Sequence, residues 1–450
     1  MDIKIDFEKA YNKLSWDFIK VRLKEFKLPE KVIQIIMQCV NSVSYNVLWN
    51  GNKTEEFILK GDPISPYLFV ICMDKLSQLI EELVHFGEWK PMAVRRRGPR
   101  ISHLIFADDV LLFTEASQRV KETLEKFCKA SGLKINEEKS SIVFSKSTNI
   151  NLRRRIMDIE KFREQKELEK YLGALTTNNR KGKEKFKDAM GRVQSKLKRW
   201  KSKCLSLARS LTLAQASISP ALNFQMQHNR VPKGVCQEIE KFQRSFIWKD
   251  EPKHRKIHLI SWKTLYRPKH EGGMGFRKIT SINDVFLMKI IWQMEGEPEK
   301  LWVEVLKHKY YPGGQLENNI RSKSSDSTLW EELVKIWPIY QENSIQYIGD
   351  GCATNFWKDQ WVLGEGALKN HTLNPNMNSN NIVKDWTNQS GEWDREQLRL
   401  NLPETIVHKI TAMCPPNQDQ EGDKRCWKHT EDGDFSIAAT YKALNNWSKL

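Results

Sequence analysis

The sequence predicts an α+β protein whose first 150 residues build one layer of strands and helices. Three observations carry this. Two short apolar segments, Ile3 to Phe7 and Ile101 to Phe113, read as strands that meet acidic residues at Asp6 and at Asp108-Asp109. Helical periodicity fills the chain between and beyond them. The dipeptide Asn50-Gly51, preceded by alternating Val43, Tyr45, Val47 and Trp49, is a strong hairpin signal.

The elements follow in order. Ser15 is placed to cap an amphipathic helix with Phe18, Val21, Leu23 and Phe26 as candidate core positions. Pro29 opens a second helix running through Val40. After the turn-rich Gly61-Asp62-Pro63-Ile64-Ser65-Pro66, an apolar helix is predicted from Tyr67 to Val84. Residues 101–113 fold as two strands about Ala107-Asp108-Asp109. Val120, Leu124 and Phe127 then mark a helix closed by Gly132.

Charge narrows the partners. Lys and Arg number 73 against 56 Asp and Glu, a net charge of +17 with a pI near 9.3. Such an excess favours nucleic acid, because polyanion binding releases counterions. A basic membrane-surface protein is the competing reading, but a mean hydropathy of −0.60 and the lack of an 18-residue apolar run argue against a span. Charged residues stand where a signal peptide needs an apolar stretch, so a nuclear or cytoplasmic location is expected. None of the eight cysteines forms a C-x-x-C pair. His254 and His258 share a helical spacing, yet no Cys or acidic partner sits at ligand spacing, and they read as basic surface.

Adjacent carboxylates at a strand hairpin repel one another, and desolvation adds to the cost. Divalent cations relieve both, and two-metal nucleotidyl transfer needs carboxylates that bridge a pair of ions. Asp108 and Asp109 with Asp6 from the other strand suit that role. Taken alone, an apolar-Asp-Asp-apolar string is more often a solvated turn.

Five motifs in order change that balance, and the sequence resembles the reverse transcriptase of plant LINE-type (non-LTR) retrotransposons. Ile5-Asp6-Phe7-Glu8-Lys9-Ala10-Tyr11 is similar to motif A, Gly61 to Phe69 to motif B, and Phe106-Ala107-Asp108-Asp109 to motif C. Gly132-Leu133-Lys134-Ile135-Asn136 with Lys139-Ser140 resembles motif D, and Tyr171-Leu172-Gly173 the following primer-gripping element. The resemblance implies a right-hand polymerase palm over 1–175, a helical thumb over 176–300, and a Trp-rich mixed α+β region over 301–450. It implies RNA-directed DNA polymerisation with two Mg2+ ions (Mn2+ as an alternative) held by Asp6, Asp108 and Asp109, and Lys139 as the proton donor to pyrophosphate. Phe7, Tyr11, Gly61 and Lys60 would face the nucleotide, with Tyr11 as the gate against a ribose 2′-hydroxyl or simply a core aromatic. Lys196, Lys198, Arg199, Lys201 and Lys203 would contact template-primer phosphates, or form a solvated helix face. The partners implied are an RNA template, a DNA primer and dNTPs. The later aromatics, including Trp357, Trp361 and Trp427, read as packing residues.

Departures from the family pattern are equally specific. Only Ile58-Leu59-Lys60 separate Phe57 from Gly61, so Lys60 stands where the family has Gln, and Asn12 replaces a second Asp. On that pattern the fingers, the endonuclease and the Cys/His zinc-binding segment are expected to be missing and the chain to be a fragment. Turnover is then expected to be impaired. The alternative is an inert or domesticated nucleic-acid-binding remnant; an RNA-directed RNA polymerase is disfavoured by Tyr11 at the gate.

Overall fold

The computed structural model describes the chain apart from residues 43, 46–47, 51, 54–56, 59–63, 97, 116–118, 169, 176–181, 202–204, 250–259, 313–319, 375–377, 418 and 446–450. The chain divides into two compact units, Met1–Asn179 with Glu304–Pro312, and Arg180–Val303 with Gly313–Leu450.

In the first unit the elements run β1 (Asp2–Ile5), α1 (Ala10–Lys13), α2 (Trp16–Glu25), α3 (Glu30–Asn41), β2 (Ser44–Tyr45), β3 (Leu48–Trp49), β4 (Asn52–Lys53), β5 (Phe57–Ile58) and α4 (Ser65–His85). They continue with β6 (Met92–Ala93), β7 (Arg100–Ile101), β8 (His103–Phe106), β9 (Asp109–Phe113), α5 (Arg119–Ser131), β10 (Ser141–Val143), α6 (Ile150–Glu160), β11 (Arg163–Gln165), β12 (Lys170–Tyr171) and β13 (Ala174–Leu175). Five strands form one sheet in the order β11-β10-β1-β9-β8. The centre is β1, antiparallel to both β10 and β9, with Ile3 facing Ile142 on one side and Leu112 on the other.

Burial explains why these strands sit centrally. Ile3, Ile5, Val110, Leu112 and Ile142 are fully buried, and Leu68, Phe69, Cys72, Met73, Leu76 and Ile80 of α4 join the same core. Spacings of one, three and four residues along α4 generate that stripe. Val120, Leu124 and Phe127 are buried as the periodicity of α5 predicts, and Gly132 ends that helix at φ 78°. A Cβ there would lie 3.0 Å from the Lys13 carbonyl oxygen, so glycine meets both a backbone and a packing demand. The Asn50 turn joins β3 to β4, with Trp49 opposite Asn52.

One expected core stripe is corrected. In α2 the buried residues are Ile19, Arg22 and Leu23, while Val21 and Phe26 are exposed and Phe18 only partly buried. Arg22 enters the protein because its guanidinium meets Asp74 at 3.0 Å and also bonds Glu25, so the charge is paired where it is desolvated. A count of apolar residues misses a helix face that an arginine shares.

The second unit is largely helical: α7 (Lys187–Lys201), α8 (Leu207–Leu213), α9 (Asn223–Met226), α10 (Lys233–Ile247), α11 (Trp262–Leu265) and α12 (Ile279–Gly296) precede α13 (Leu301–Tyr310), most of which belongs to the first unit. Then come α14 (Thr328–Asn343), β14 (Ser344–Tyr347), α15 (Arg395–Asn401), α16 (Glu404–Thr411), β15 (Lys424–Trp427) and α17 (Ile437–Leu444). One apolar cluster is built from α7, α8, α10 and the first half of α12. A separate cluster holds Phe356, Trp357, Trp361, Trp386 and Trp393, with Phe356 and Trp386 stacked at 4.0 Å. Asp423 ties the adjoining loop by accepting the N–H groups of Gly349, Gly351, Ala353 and Thr354 at 2.8–3.1 Å. No described helix is long and apolar enough to cross a membrane.

Candidate active site

Strand β1 ends one residue before Asp6. Its partner β9 starts at Asp109, and the pairing of Ile5 with Val110 makes Asp6 and Asp109 the next residues in line on adjacent strands. Phe106 pairs with Asp109, so β8 turns into β9 through Ala107 and Asp108 alone. Ala107 takes φ 52°, a left-handed conformation that costs a non-glycine residue about 1 kcal/mol or more. The tight tip leaves Asp108 exposed and Asp109 half-buried.

Residues 132–140 close the other side of β1. The Asn136 N–H donates to the Asp6 carbonyl at 2.8 Å, and the Asp6 N–H donates to the Ser140 hydroxyl at 3.1 Å. The Asn136 side chain accepts the Lys139 N–H at 3.2 Å, shaping an exposed turn. Lys139 therefore sits one residue from the group that fixes Asp6. Phe7 is buried and its ring packs 6.4 Å from that of Phe127. Tyr11 lies within α1, where its side chain is outside the described residues; Lys60 and Gly61 are outside them as well.

Two further groups adjoin this sheet, Tyr171 near Asp109 and His103 at the other end of β8, opposite Leu112. Tyr171 precedes a two-residue turn in which Leu172 has φ 48° and Gly173 φ 78°. Burial raises the Tyr171 phenol above its ordinary range and the Asp109 carboxylate adds to the rise, which places these two groups within electrostatic reach. His103, which sequence reasoning passed over, ties β8 to α4. Its Nε2 lies 2.6 Å from the Ser77 hydroxyl and its Nδ1 2.9 Å from that of Ser102. Burial holds this imidazole below its usual pKa, with Glu81 opposing. The only sequence signal was its position three residues before Phe106.

Among the described residues, no three His, Cys, Asp or Glu side chains converge closely enough to hold a metal ion. The backbone delivers Asp6, Asp108 and Asp109 to one end of the sheet, but the carboxylates do not meet at one point. The donor chemistry does fit: three carboxylates are the hard oxygen ligands that Mg2+ takes.

In α7, Ala189, Val193 and Leu197 are buried, while Lys196, Lys198 and Arg199 are exposed. Helical spacing sets Arg192, Lys196 and Arg199 along one flank and Lys198 elsewhere. Trp200 packs against Phe246 at 5.8 Å, so its ring serves the core. Lys201 ends the helix with its side chain outside the described residues, and Lys203, His254 and His258 lie wholly outside them.

The family model described as reverse transcriptase (RNA-dependent DNA polymerase) matches residues 2–176. A protein of Arabidopsis thaliana described as a ribonuclease H protein is 28% identical over 273 residues, covering 58% of this chain and 43% of the relative. The retrovirus-related Pol polyprotein from the type-1 retrotransposable element R2 of Popillia japonica is 22% identical over 372 residues, covering 79% and 59%. That from the type-2 element R2DM of Drosophila melanogaster is 23% identical over 300 residues, covering 60% and 26%. In each case the chain spans less than two thirds of the relative's own length. The strand-end aspartates thus lie inside the segment that matches the reverse transcriptase model, and the chain is similar over that segment and beyond to the Pol polyproteins of R2 retrotransposable elements.

Proposed function

We propose that the chain carries out RNA-directed DNA polymerisation at the Asp108-Asp109 hairpin, with an RNA template, a DNA primer and dNTPs as partners. In this reading residues 1–175 act as palm, 176–300 as helical thumb, and 301–450 as a Trp-rich accessory region. The supporting observation is the β1–β9 register, which sets Asp6 beside Asp109 with Asp108 on the adjoining tip. Asp6, Asp108 and Asp109 would hold two Mg2+ ions, or Mn2+. Bound there, such ions lower the pKa of a primer 3′-hydroxyl and offset charge on the triphosphate.

The chain's own residues do the positioning. Ser140 and Asn136 hold the backbone N–H and carbonyl of Asp6 from one side. Tyr11 screens out a 2′-hydroxyl, Gly61 and Lys60 meet template and nucleotide, and Phe7 backs the strand from the core. Lys139 gives a proton to the departing pyrophosphate. Lys196, Lys198, Arg199, Lys201 and Lys203 contact phosphates, an interaction weakened by salt.

A second reading, nucleic-acid binding without turnover, is favoured by one observation: the three carboxylates do not converge among the described residues. The deciding assay is dNTP incorporation on oligo(dT)-primed poly(A) with Mg2+, beside a chain carrying Asp108→Ala and Asp109→Ala. Incorporation lost in the control establishes the polymerase. No incorporation by the unmodified chain, with salt-sensitive binding retained, establishes the binding remnant.

A further inference from the structure

We propose that the end of the sheet opposite the aspartate hairpin carries a second surface, for single-stranded RNA. Strand β9 runs from Asp109 to Phe113, so its far end lies about 13 Å from the carboxylates at the usual strand rise. There the Phe113 N–H donates to the Ser102 carbonyl at 2.7 Å, and Ser102 follows directly on the β6–β7 hairpin. The Val94 N–H bonds the Pro99 carbonyl at 3.3 Å and the Gly98 N–H the Arg95 carbonyl at 2.9 Å, which closes the hairpin that bears the arginines.

Arg95, Arg96 and Arg100 are all exposed on this hairpin. Among the described residues none has an ion pair; Arg95 donates to the His308 backbone carbonyl at 3.2 Å, which leaves its charge uncompensated. The nearby acids are taken: Glu115 pairs with Lys90 at 3.2 Å and Glu88 with Arg119 at 3.3 Å. Beside the hairpin is a concavity of about 600 Å3, lined among others by Lys90, Arg100, Ser102 and Thr114. Thr114 is 2% exposed and its hydroxyl has no hydrogen-bond partner among the described residues, a cost that a bound polar group would remove. Phe86, next in sequence to the lining residue Gly87, is 74% exposed.

Unpaired guanidinium groups, an orphaned hydroxyl and an exposed aromatic ring together match the needs of single-stranded nucleic acid. Arginines bind phosphate oxygens, and a ring stacks on a base whatever its identity. An acidic peptide would satisfy the arginines but would give Phe86 nothing to stack on. The choice of RNA rests on the polymerase reading, in which the template is the single strand available.

The test is fluorescence anisotropy of a labelled oligouridine titrated with the full chain at several KCl concentrations. Arg95→Gln, Arg96→Gln and Arg100→Gln combined should flatten the slope of log affinity against log salt by about 2. Affinity should fall on the order of tenfold. Phe86→Ala should weaken binding about fivefold with an unchanged slope, since stacking carries no counterion. Thermal melts like that of the unmodified chain certify the fold of each variant. Unchanged affinity and slope in the triple variant overturn the proposal. So does competition by polyglutamate equal to that by RNA with Phe86→Ala silent, the result expected of an acidic protein partner. Primer extension is scored separately: extension by a chain whose RNA affinity ignores these substitutions removes only this surface. RNA binding that depends on them, without extension, removes only the polymerase.

Discussion

Glu160 is a buried acid with no ion pair among the described residues. It is the last residue of α6, only 4% exposed, and among the described residues its carboxylate oxygens have no well-formed hydrogen bond, the Lys121 backbone N–H lying just near enough to oppose its pKa rise. Burial pushes its carboxyl up from 4.5 to about 7, Lys121 opposes the rise and Glu125 adds to it. Lys121 spends its ammonium on the Ile159 carbonyl at 2.7 Å instead. The direction of the pH effect follows. Below pH 4.5 both folded and unfolded chains hold the proton and no penalty exists. Between 4.5 and about 7 the folded chain alone holds it, so stability falls as pH rises, and above about 7 the penalty is complete. A displacement of that size corresponds to about 3 kcal/mol, and to about half that once water entry relaxes the site. Glu160→Gln keeps the shape and removes the titration. Urea unfolding followed by hydrogen exchange of the β1 and β10 amides reads the first unit by itself. The variant should gain about 1.5–3 kcal/mol over the unmodified chain on going from pH 4.5 to pH 8. The amide's own burial cost is the same at both values and cancels. A difference that stays constant with pH would refute the reasoning.

Three other outcomes are expected. Asp423→Asn replaces a charged acceptor of four N–H groups and should destabilise the second unit by about 2–4 kcal/mol in thermal unfolding. Burial acts to raise the Asp423 carboxyl, but these bonds outweigh it and hold it below the usual range, so its contribution is present above pH 3.8 and lost as pH falls below that. Asn283→Ala removes a buried side chain that bonds the Met226 and Asn229 carbonyls, each at 3.0 Å, and the Val231 N–H at 2.8 Å; urea titration should show a loss of about 3 kcal/mol. Ser140→Ala frees the Asp6 N–H and should lower kcat for dNTP incorporation on the order of tenfold with little change in KM, because only the placement of Asp6 is disturbed.

Much of the first unit was legible because its elements obey single local rules. Helix α4 carries Leu68, Phe69, Cys72, Met73, Leu76 and Ile80 at helical spacing, α5 carries Val120, Leu124 and Phe127 likewise, and Gly132 supplies the left-handed stop. Expectation failed in α2, where Arg22 took a core position because Asp74, 52 residues away in sequence, neutralises it. No periodicity encodes a partner that distant. The same holds for Glu160, whose charge looks like ordinary helix surface until the fold shows it buried.

The candidate site divides along the same line. That these carboxylates stand at strand ends was readable from the sequence. Their adjacency depends on register, and register is set by the buried faces of three strands together: one residue of slip would turn Ile3 and Ile5 outward and carry Asp6 away from Asp109. The apolar core of β1 is thus what aligns two acids that would otherwise repel. Beyond the strand ends packing loses that control, and the tip turns instead through strained backbone at Ala107. Apolar burial fixes backbones far more tightly than it fixes exposed carboxylates, which accords with three aspartates that share one sheet end without meeting at one point.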